Sequence, residues 1–281
     1  MGERIPTTPY FSEKFSAGFG TIEKVLTSFK TQGAIKLQAR GQMGTYLLSK
    51  DDAKLWQIAD FGIIVGLLPL PNAIEYEGLA TGFTESLLRS GVKFSLNYKH
   101  GAVERVKNLI DNRCDFIVLS NSAAETVLEQ YTDLYALQHL SALTYYSGVY
   151  LIKRKDLDID KTKWRIGIDR TSYDHITFSD NEFPENSKVN VHYVNIPYFI
   201  ANGTIDAAII LNRTHIAIDL MEYLTIESLE TTDYLRNRSS ATIVTKKDLG
   251  MIGILFKEMV DLELIENVQR DVMERRVVPT F

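Results

Sequence analysis

The chain has 281 residues, about twice the ~150 expected of one domain, so two domains are expected. Its 45% hydrophobic and 24% charged residues exclude a disordered, collagen-like or fibrous chain. The formal charge of −5 is unevenly spread: residues 1–50 carry seven Lys/Arg against three Glu, a net +4, which leaves −9 on the other 231. A basic segment on an acidic body suggests an anion-binding head, with nucleic acid the first candidate. The longest apolar stretches, such as Ile63 to Leu68 and Ala207 to Leu211, fall short of the ~20 residues that cross a bilayer. The opening Met1-Gly2-Glu3-Arg4-Ile5-Pro6 has no apolar signal core, so a cytoplasmic protein is expected.

Thr8 followed by Pro9 reads as an N-cap with proline at the first helical position, opening a short helix through Phe15 that Ser16-Ala17-Gly18 breaks. Between Thr21 and Lys30 the apolar residues Ile22, Val25, Leu26 and Phe29 recur at three- and four-residue spacing, one face of a second helix that Gly33 stops. Thr21, Lys24, Thr27, Ser28 and Lys30 fall on the other face. Ile35 to Arg40 and Thr45 to Leu48 are strand-like runs around Gly41-Gln42-Met43-Gly44, a glycine-bearing hairpin turn. Such a hairpin beside a helix-turn-helix is a wing.

Three pieces keep one register: Gly2-Glu3-Arg4-Ile5-Pro6-Thr7; then Thr21-Ile22, Val25-Leu26, Phe29 and Gly33-Ala34-Ile35; then Arg40-Gly41-Gln42-Met43-Gly44-Thr45-Tyr46-Leu47. Together they resemble a GntR-type winged helix-turn-helix, in which a Gly-x-x-Leu-Pro-Ser segment, a DNA-reading helix and an Arg-Gly-x-Gly-Thr-Phe-Val wing follow one another. The resemblance implies double-stranded DNA as a partner, with Lys24, Thr27, Lys30 and Arg40 toward phosphates and Thr21 or Gln42 toward bases. Phe19 and Glu23 stand where the family usually has arginines, so its base contacts are not carried over. The helix that the family places ahead of the Gly-x-x-Leu-Pro segment is absent, so a mis-assigned start codon or a trimmed chain is expected, and loss of DNA binding is one alternative.

From about Phe61 short apolar runs alternate with amphipathic stretches, as in parallel strands buried on both faces. Strands are expected at Ile63 to Leu68, Lys93 to Tyr98, Asp115 to Leu119, Gly148 to Lys153, Trp164 to Asp169, Val189 to Val194, Asp206 to Leu211 and Thr242 to Thr245. Two passages rhyme, residues 109–118 and 199–209, each a helix end, a turn, an Asp and a buried strand, as two similar α/β lobes would give. This pattern resembles the type II periplasmic-binding-protein fold used as an effector domain by many bacterial regulators. With Leu68-Pro69-Leu70-Pro71, Tyr76-Glu77-Gly78-Leu79-Ala80-Thr81-Gly82 and the head, nearly the whole chain is similar to the YhfZ group of GntR-like regulators. The expected organisation is an α/β chain: a winged helix-turn-helix at 1–50, a linker at 51–58 and a two-lobed domain at 59–281. Lobe one is expected at 59–150 and 225–281, closed by helices Leu249 to Val260 and Leu262 to Met273, and lobe two at 155–222.

Catalytic signatures are missing: there is no Gly-x-Ser-x-Gly elbow, His-Glu-x-x-His, phosphate loop or Gly-x-Gly-x-x-Gly, so neither an enzyme nor a cofactor is expected. Asp156, Asp158 and Asp160 alternate like the start of a calcium loop, but its glycine and closing glutamate are absent. The five histidines include no short ligand pair, and metal binding is not expected. Cys114 is expected to be a buried small hydrophobe. Gly78 and Gly82, one turn apart, suit close packing of a helix on a sheet.

In open α/β sheets, strand C-termini and the following helix N-termini face the crevice, where backbone N–H groups favour anions and polar groups. That places Asn72, Tyr76, Tyr98, Ser120, Asn121, Ser122, Arg170, Thr171, Ser172, Asn212 and Arg213 at the candidate ligand site, with Arg170 or Arg213 toward a carboxylate or phosphate. Several of these, Ser and Asn above all, equally suit helix caps. The sequence reads as a DNA-binding regulator, a homodimer, sensing a small polar or anionic metabolite. A solute-binding protein, or an enzyme on the same two-lobed fold, is the alternative.

Overall fold

The computed structural model describes residues 2–60, 62–212, 214–229 and 238–281. They cluster as two units, Met1–Ile64 with Leu88–Lys93, and Val65–Leu87 with Phe94–Phe281.

The first unit runs β1 (Glu3–Arg4), α1 (Thr8–Phe15), α2 (Phe19–Thr31), β2 (Ile35–Ala39), β3 (Thr45–Lys50) and α3 (Asp52–Ala59). Its strands form one antiparallel sheet in the order β1-β3-β2. The cap of α1 is Thr7 and not Thr8: the Thr7 hydroxyl accepts the Tyr10 N–H at 3.5 Å. Ser16, left-handed at φ 50°, ends that helix. Between β2 and β3 a single 3-10 turn, Gly41–Met43, makes the wing tip. Gly44 closes it at φ 88°, where the Arg4 side chain leaves no room for a Cβ.

Within residues 51–58, expected as a linker, all but the cap Asp51 lie in α3. Asp51 caps α3 by accepting the Lys54 N–H at 3.0 Å, and Trp56 of that helix is buried, as are Ile22 and Ala34 earlier in this unit. Leu55, Trp56 and Ile58 are too few to display a helical period. β1 likewise escapes notice, being two residues long and held only by distant β3.

From β4 onward the chain builds two five-stranded sheets. The first lobe contains β4 (Ile64–Leu68), α4 (Ile74–Ser90), β5 (Phe94–Tyr98), α5 (Ala102–Ile110), β6 (Phe116–Ser120), α6 (Asn121–Gln130) and β7 (Leu134–His139). The second contains β8 (Val149–Arg154), β9 (Ile166–Ile168), α7 (Tyr173–Glu182), β10 (Lys188–Asn190), α8 (Ile196–Ala201), β11 (Ala207–Leu211) and β12 (Leu224–Ser228). The chain returns to the first with β13 (Ala241–Lys246), α9 (Gly250–Glu258) and α10 (Leu262–Met273). Sheet orders are β5-β4-β6-β13-β7 and β10-β9-β11-β8-β12.

Three expectations need correction. The sheets are mixed: β4 and β6 are parallel, as are β9 with β10 and β11, whereas β13 and β8 run antiparallel to their neighbours. Both exceptions follow in the chain a strand of the opposite lobe, β7 before β8 and β12 before β13. β7 and β12, absent from the sequence reading, are edge strands that are only partly buried and so lack a continuous apolar run. The lobe limits shift accordingly, because β8 and β12 lie in the second sheet and that lobe takes in 149–228.

The rhyming passages have a shared structural purpose. Asp115, just before β6, accepts the Val65 N–H of the neighbouring strand at 2.7 Å, and Asp206, just before β11, accepts the Arg165 N–H beside β9 at 2.8 Å. Each carboxylate pins the start of a parallel pair. Below them lie separate cores, Leu67, Val106, Leu109, Ile117 and Val127 in one lobe and Ile152, Ile196, Ile200, Ile205 and Ile210 in the other. Cys114 is buried with the first, its thiol pushed up to about 12 by desolvation and then by the Asp115 charge.

Gly78 and Gly82 face helix α10, not a sheet. A Cβ at Gly82 would stand 2.6 Å from the Ile265 carbonyl oxygen, a backbone atom that cannot swing aside. Gly82→Ala is therefore expected to destabilise the protein by about 1–3 kcal/mol in denaturant titration. Gly250→Ala, whose Cβ meets nothing within 4 Å, should be neutral or slightly stabilising.

Candidate functional site

Between the two lobes lies a cavity of about 40 Å3, its wall built from both sides. The first lobe supplies Asn72 and Tyr76 around the start of α4, His100 and Gly101 ahead of α5, Arg105 within α5, and Tyr145. The second supplies Ser172 and Asp174 at the start of α7, Tyr193 and Leu211. Strand C-termini and helix N-termini thus meet at the crevice, as the topology requires.

Arg105 is the largest charged group in this wall and only 2% exposed. Its α5 neighbours Ala102, Val106 and Leu109 form the buried stripe of the helix, and Arg105 occupies that stripe. Nη1 donates to the Lys99 carbonyl at 2.7 Å and Nη2 to the Tyr145 hydroxyl at 2.6 Å. Nε has no hydrogen-bond partner among the described residues. Opposite it, Asp174 is 4% exposed; its Oδ2 accepts the Ser120 hydroxyl at 2.7 Å, and Oδ1 has no partner among the described residues. Burial raises the Asp174 carboxyl to about 6, a rise that the Ser120 hydrogen bond and the charges of Arg105 and Arg238 only partly offset.

A second carboxylate behaves oppositely. Asp169, at the end of β9, is buried, yet hydrogen bonds hold its carboxyl well below the usual range despite desolvation. It accepts His100 Nε2 at 2.8 Å, the Thr171 N–H at 2.8 Å, the Thr171 hydroxyl at 2.6 Å and the Tyr193 N–H at 2.8 Å. His100 comes from the other lobe and stacks on Tyr193, ring centroids 5.3 Å apart. Beneath them His175 accepts the Asp169 N–H on Nδ1 at 2.7 Å, which places its proton on Nε2 toward the Ile209 carbonyl at 2.8 Å. Burial lowers this imidazole to about 4, so it is neutral at pH 7.

The lobes are also tied backbone to backbone. The Val103 N–H donates to the Thr171 carbonyl at 3.1 Å, and the His215 N–H to the Asn72 carbonyl at 2.8 Å. Gly101, at φ 81°, lets the chain approach Thr171, whose hydroxyl oxygen would stand 2.5 Å from a Cβ there.

Of the candidate ligand residues, Asn72, Tyr76 and Ser172 line the cavity. Ser120 stands behind it, capping α6 through the Ala123 N–H and supporting Asp174. Thr171 is spent on Asp169, and Asn212 is a buried strut that accepts the Ser147 N–H and donates to the Tyr145 carbonyl. The others do not join the site: Tyr98 packs on Phe281, Asn121 bonds Glu125, Ser122 lies within α6, and Arg170 is exposed. Arg213 lies outside the described residues. Sequence reasoning missed Arg105, Asp174, Tyr145 and Tyr193. A readable signal existed for the first, a charge on the apolar stripe of a helix.

On the head, Thr21, Lys24, Thr27, Lys30, Arg40 and Gln42 are all exposed. Arg40 lies 4.3 Å over the Tyr46 ring and donates to Gln38, which holds its guanidinium at the wing. Thr27 and Lys30 face a groove closed by Arg4 and Thr45. Glu23 also lines that groove, and Lys24 lines a separate one on α2.

A family model described as the YhfZ C-terminal domain matches residues 51–281, and one described as a helix-turn-helix domain matches residues 1–47. The uncharacterized protein YhfZ of Escherichia coli (strain K12) is 28% identical over 284 residues, which span 100% of this chain and 92% of that protein. A crystal structure of YhfZ from Shigella flexneri is 27% identical with a TM-score of 0.64, over 82% of this chain and 98% of the other. The periplasmic VFT2 domain of Bordetella pertussis BvgS, 16% identical, superposes with a TM-score of 0.52 over 78% of this chain and 96% of its own. That likeness shows the periplasmic-binding-protein fold.

Asp174 provides a test of the site's energetics. Its carboxyl is raised from 3.8 to about 6 on folding, so the associated stability is present below pH 4 and lost as pH rises through 6. Asp174→Asn removes that loss and is expected to stabilise the protein at pH 7.5 by something on the order of 3 kcal/mol, with little effect at pH 4. Thermal unfolding of both proteins at the two pH values measures it.

Proposed function

The chain belongs to the family of the YhfZ C-terminal domain and carries a helix-turn-helix domain ahead of it, the make-up of a DNA-binding regulator; from this premise we propose a transcriptional regulator whose crevice senses a small polar or anionic molecule. The observation that carries the reading is a buried crevice with unpartnered charged atoms, in a chain that also bears an exposed basic helix and wing. A transport receptor has no use for the head.

In this reading the protein acts as a homodimer in the cytoplasm, because two heads match two half-sites. The effector favours one arrangement of the heads over another, with a coupling of about 1–3 kcal/mol. Lys24, Thr27, Lys30 and Arg40 contact phosphates in this reading, and Thr21 or Gln42 approaches the bases.

Binding of a labelled duplex from the intergenic DNA beside the gene, titrated across salt, tests the reading. Lys24→Glu and Arg40→Glu are each expected to weaken binding at every sequence. In a dimer, each should flatten the slope of log K against log salt by about two. An unchanged slope removes these residues from the interface, and no binding to any duplex overturns the regulator.

A further inference from the structure

The second lobe leaves a group of apolar side chains outside, and the way its turn after β11 is anchored explains which ones. Leu220, in the single 3-10 turn Ile218–Leu220, is buried and joins Ile196 and Ile200 of α8 in the core of that lobe. With Leu220 inward, Ile218, Met221 and Tyr223 are left outside, 91%, 46% and 48% exposed, and α8, packed against the turn, adds Tyr198 at 56%. Single exposed hydrophobes are ordinary, whereas four on adjoining segments mark a surface that another molecule covers. Beside them runs a groove of about 500 Å3 lined by Arg154, Lys155, Asp156, Ala201, Glu222 and Tyr223.

Resting on the reading of the protein as a homodimer, we propose that two copies meet on this face of the second lobe, with Ile218 of each copy seated in the groove of the other. A two-fold interface must be complementary to itself, because every contact of residue i with residue j recurs as j with i. One short stretch of chain supplies both halves of such a contact. Ile218 is the knob, and Glu222 and Tyr223, in the same stretch, line the hole. The groove is large enough for a branched aliphatic side chain, and Met221 beside it is a flexible filler.

The charges obey the same symmetry. Lys155, on the groove, is exposed and has no ion pair among the described residues. Asp219, next to Ile218, is exposed and likewise unpaired among the described residues. The Tyr223 hydroxyl is raised above its ordinary range by its hydrogen bond to Glu222 and, less strongly, by the charge of Asp219, which places both carboxylates beside it. Seating Ile218 in the facing groove carries Asp219 toward the Lys155 of the other copy. A nucleic acid would be repelled by Asp156, Asp219 and Glu222, and a partner of either single sign would meet its own sign over half of this face. A second copy brings both signs in the matching places. A stable pair buries about 800 Å2 on each side, apolar at the centre and polar at the rim, and the four apolar side chains with the charges around them have that layout.

Sedimentation equilibrium of the full chain over a dilution series tests the proposal. The protein is expected to dimerise reversibly, and Ile218→Glu to weaken the dimer at least tenfold. Lys155→Glu and Asp219→Lys should each weaken it as well. The double variant, which restores opposite signs across the two-fold, should recover most of the loss. Far-ultraviolet circular dichroism of Ile218→Glu should match that of the unaltered chain, because the side chain it replaces makes little contact within its own copy. If that variant nevertheless misfolds, the charge pair decides, since two damaged folds do not repair each other. A dimer that none of these variants weakens overturns this surface and leaves the homodimer standing, joined elsewhere. A chain that stays monomeric at every concentration overturns both.

Discussion

Asp169 is buried as an anion because four hydrogen bonds converge on its two oxygens, and one of them crosses the crevice. A carboxylate taken out of water without such partners would cost several kcal/mol. Three of the bonds, from Thr171 and the Tyr193 N–H, arise within the second lobe. The fourth, from His100, comes from the first lobe. Among the contacts that join the lobes, this one ends on a charge that the second lobe already stabilises. The same contact seats His100 on Tyr193 and brings Gly101 to Thr171, and these position the walls around Arg105 and Asp174.

The two carboxylates show how position on the fold sets a group's task. Asp169 lies at a strand end, where backbone N–H groups of the following turn point at it. Asp174 lies one turn later, inside α7, with a single hydroxyl donor and two cations at longer range. The first is spent on structure. The second keeps an open acceptor and an elevated carboxyl, a combination that costs stability and is found where a ligand completes the site.

Much of the architecture was legible because buried central strands write themselves as continuous apolar runs. β4, β6, β8 and β11 fall within a residue or two of the runs that announce them. β7 and β12 do not, since an edge strand with one face in water alternates and resembles a loop. The basic face of α2 and the wing glycines were legible for the same kind of reason, period and turn chemistry being local. The crevice was not. Ser120, Thr171 and Asn212 occupy the strand ends that topology singles out, yet their hydrogen-bonding capacity is consumed by caps and struts. Arg105 sits in mid-helix, and its function follows from which stripe of α5 it occupies. Asp174 near a helix start reads as an ordinary partner of the helix dipole until Ser120 and Arg105, distant in sequence, are seen to enclose it.

A cavity this small also bounds what the effector can accomplish. The best tiny ligands gain about 1.5 kcal/mol per non-hydrogen atom, so five or six atoms supply at most about 8 kcal/mol, a dissociation constant near micromolar. Only the part of that energy that differs between two arrangements of the protein can shift their balance. Spending about 1–3 kcal/mol of it on coupling changes DNA affinity some 5- to 150-fold. A larger ligand held mainly by one lobe would bind more tightly and switch less.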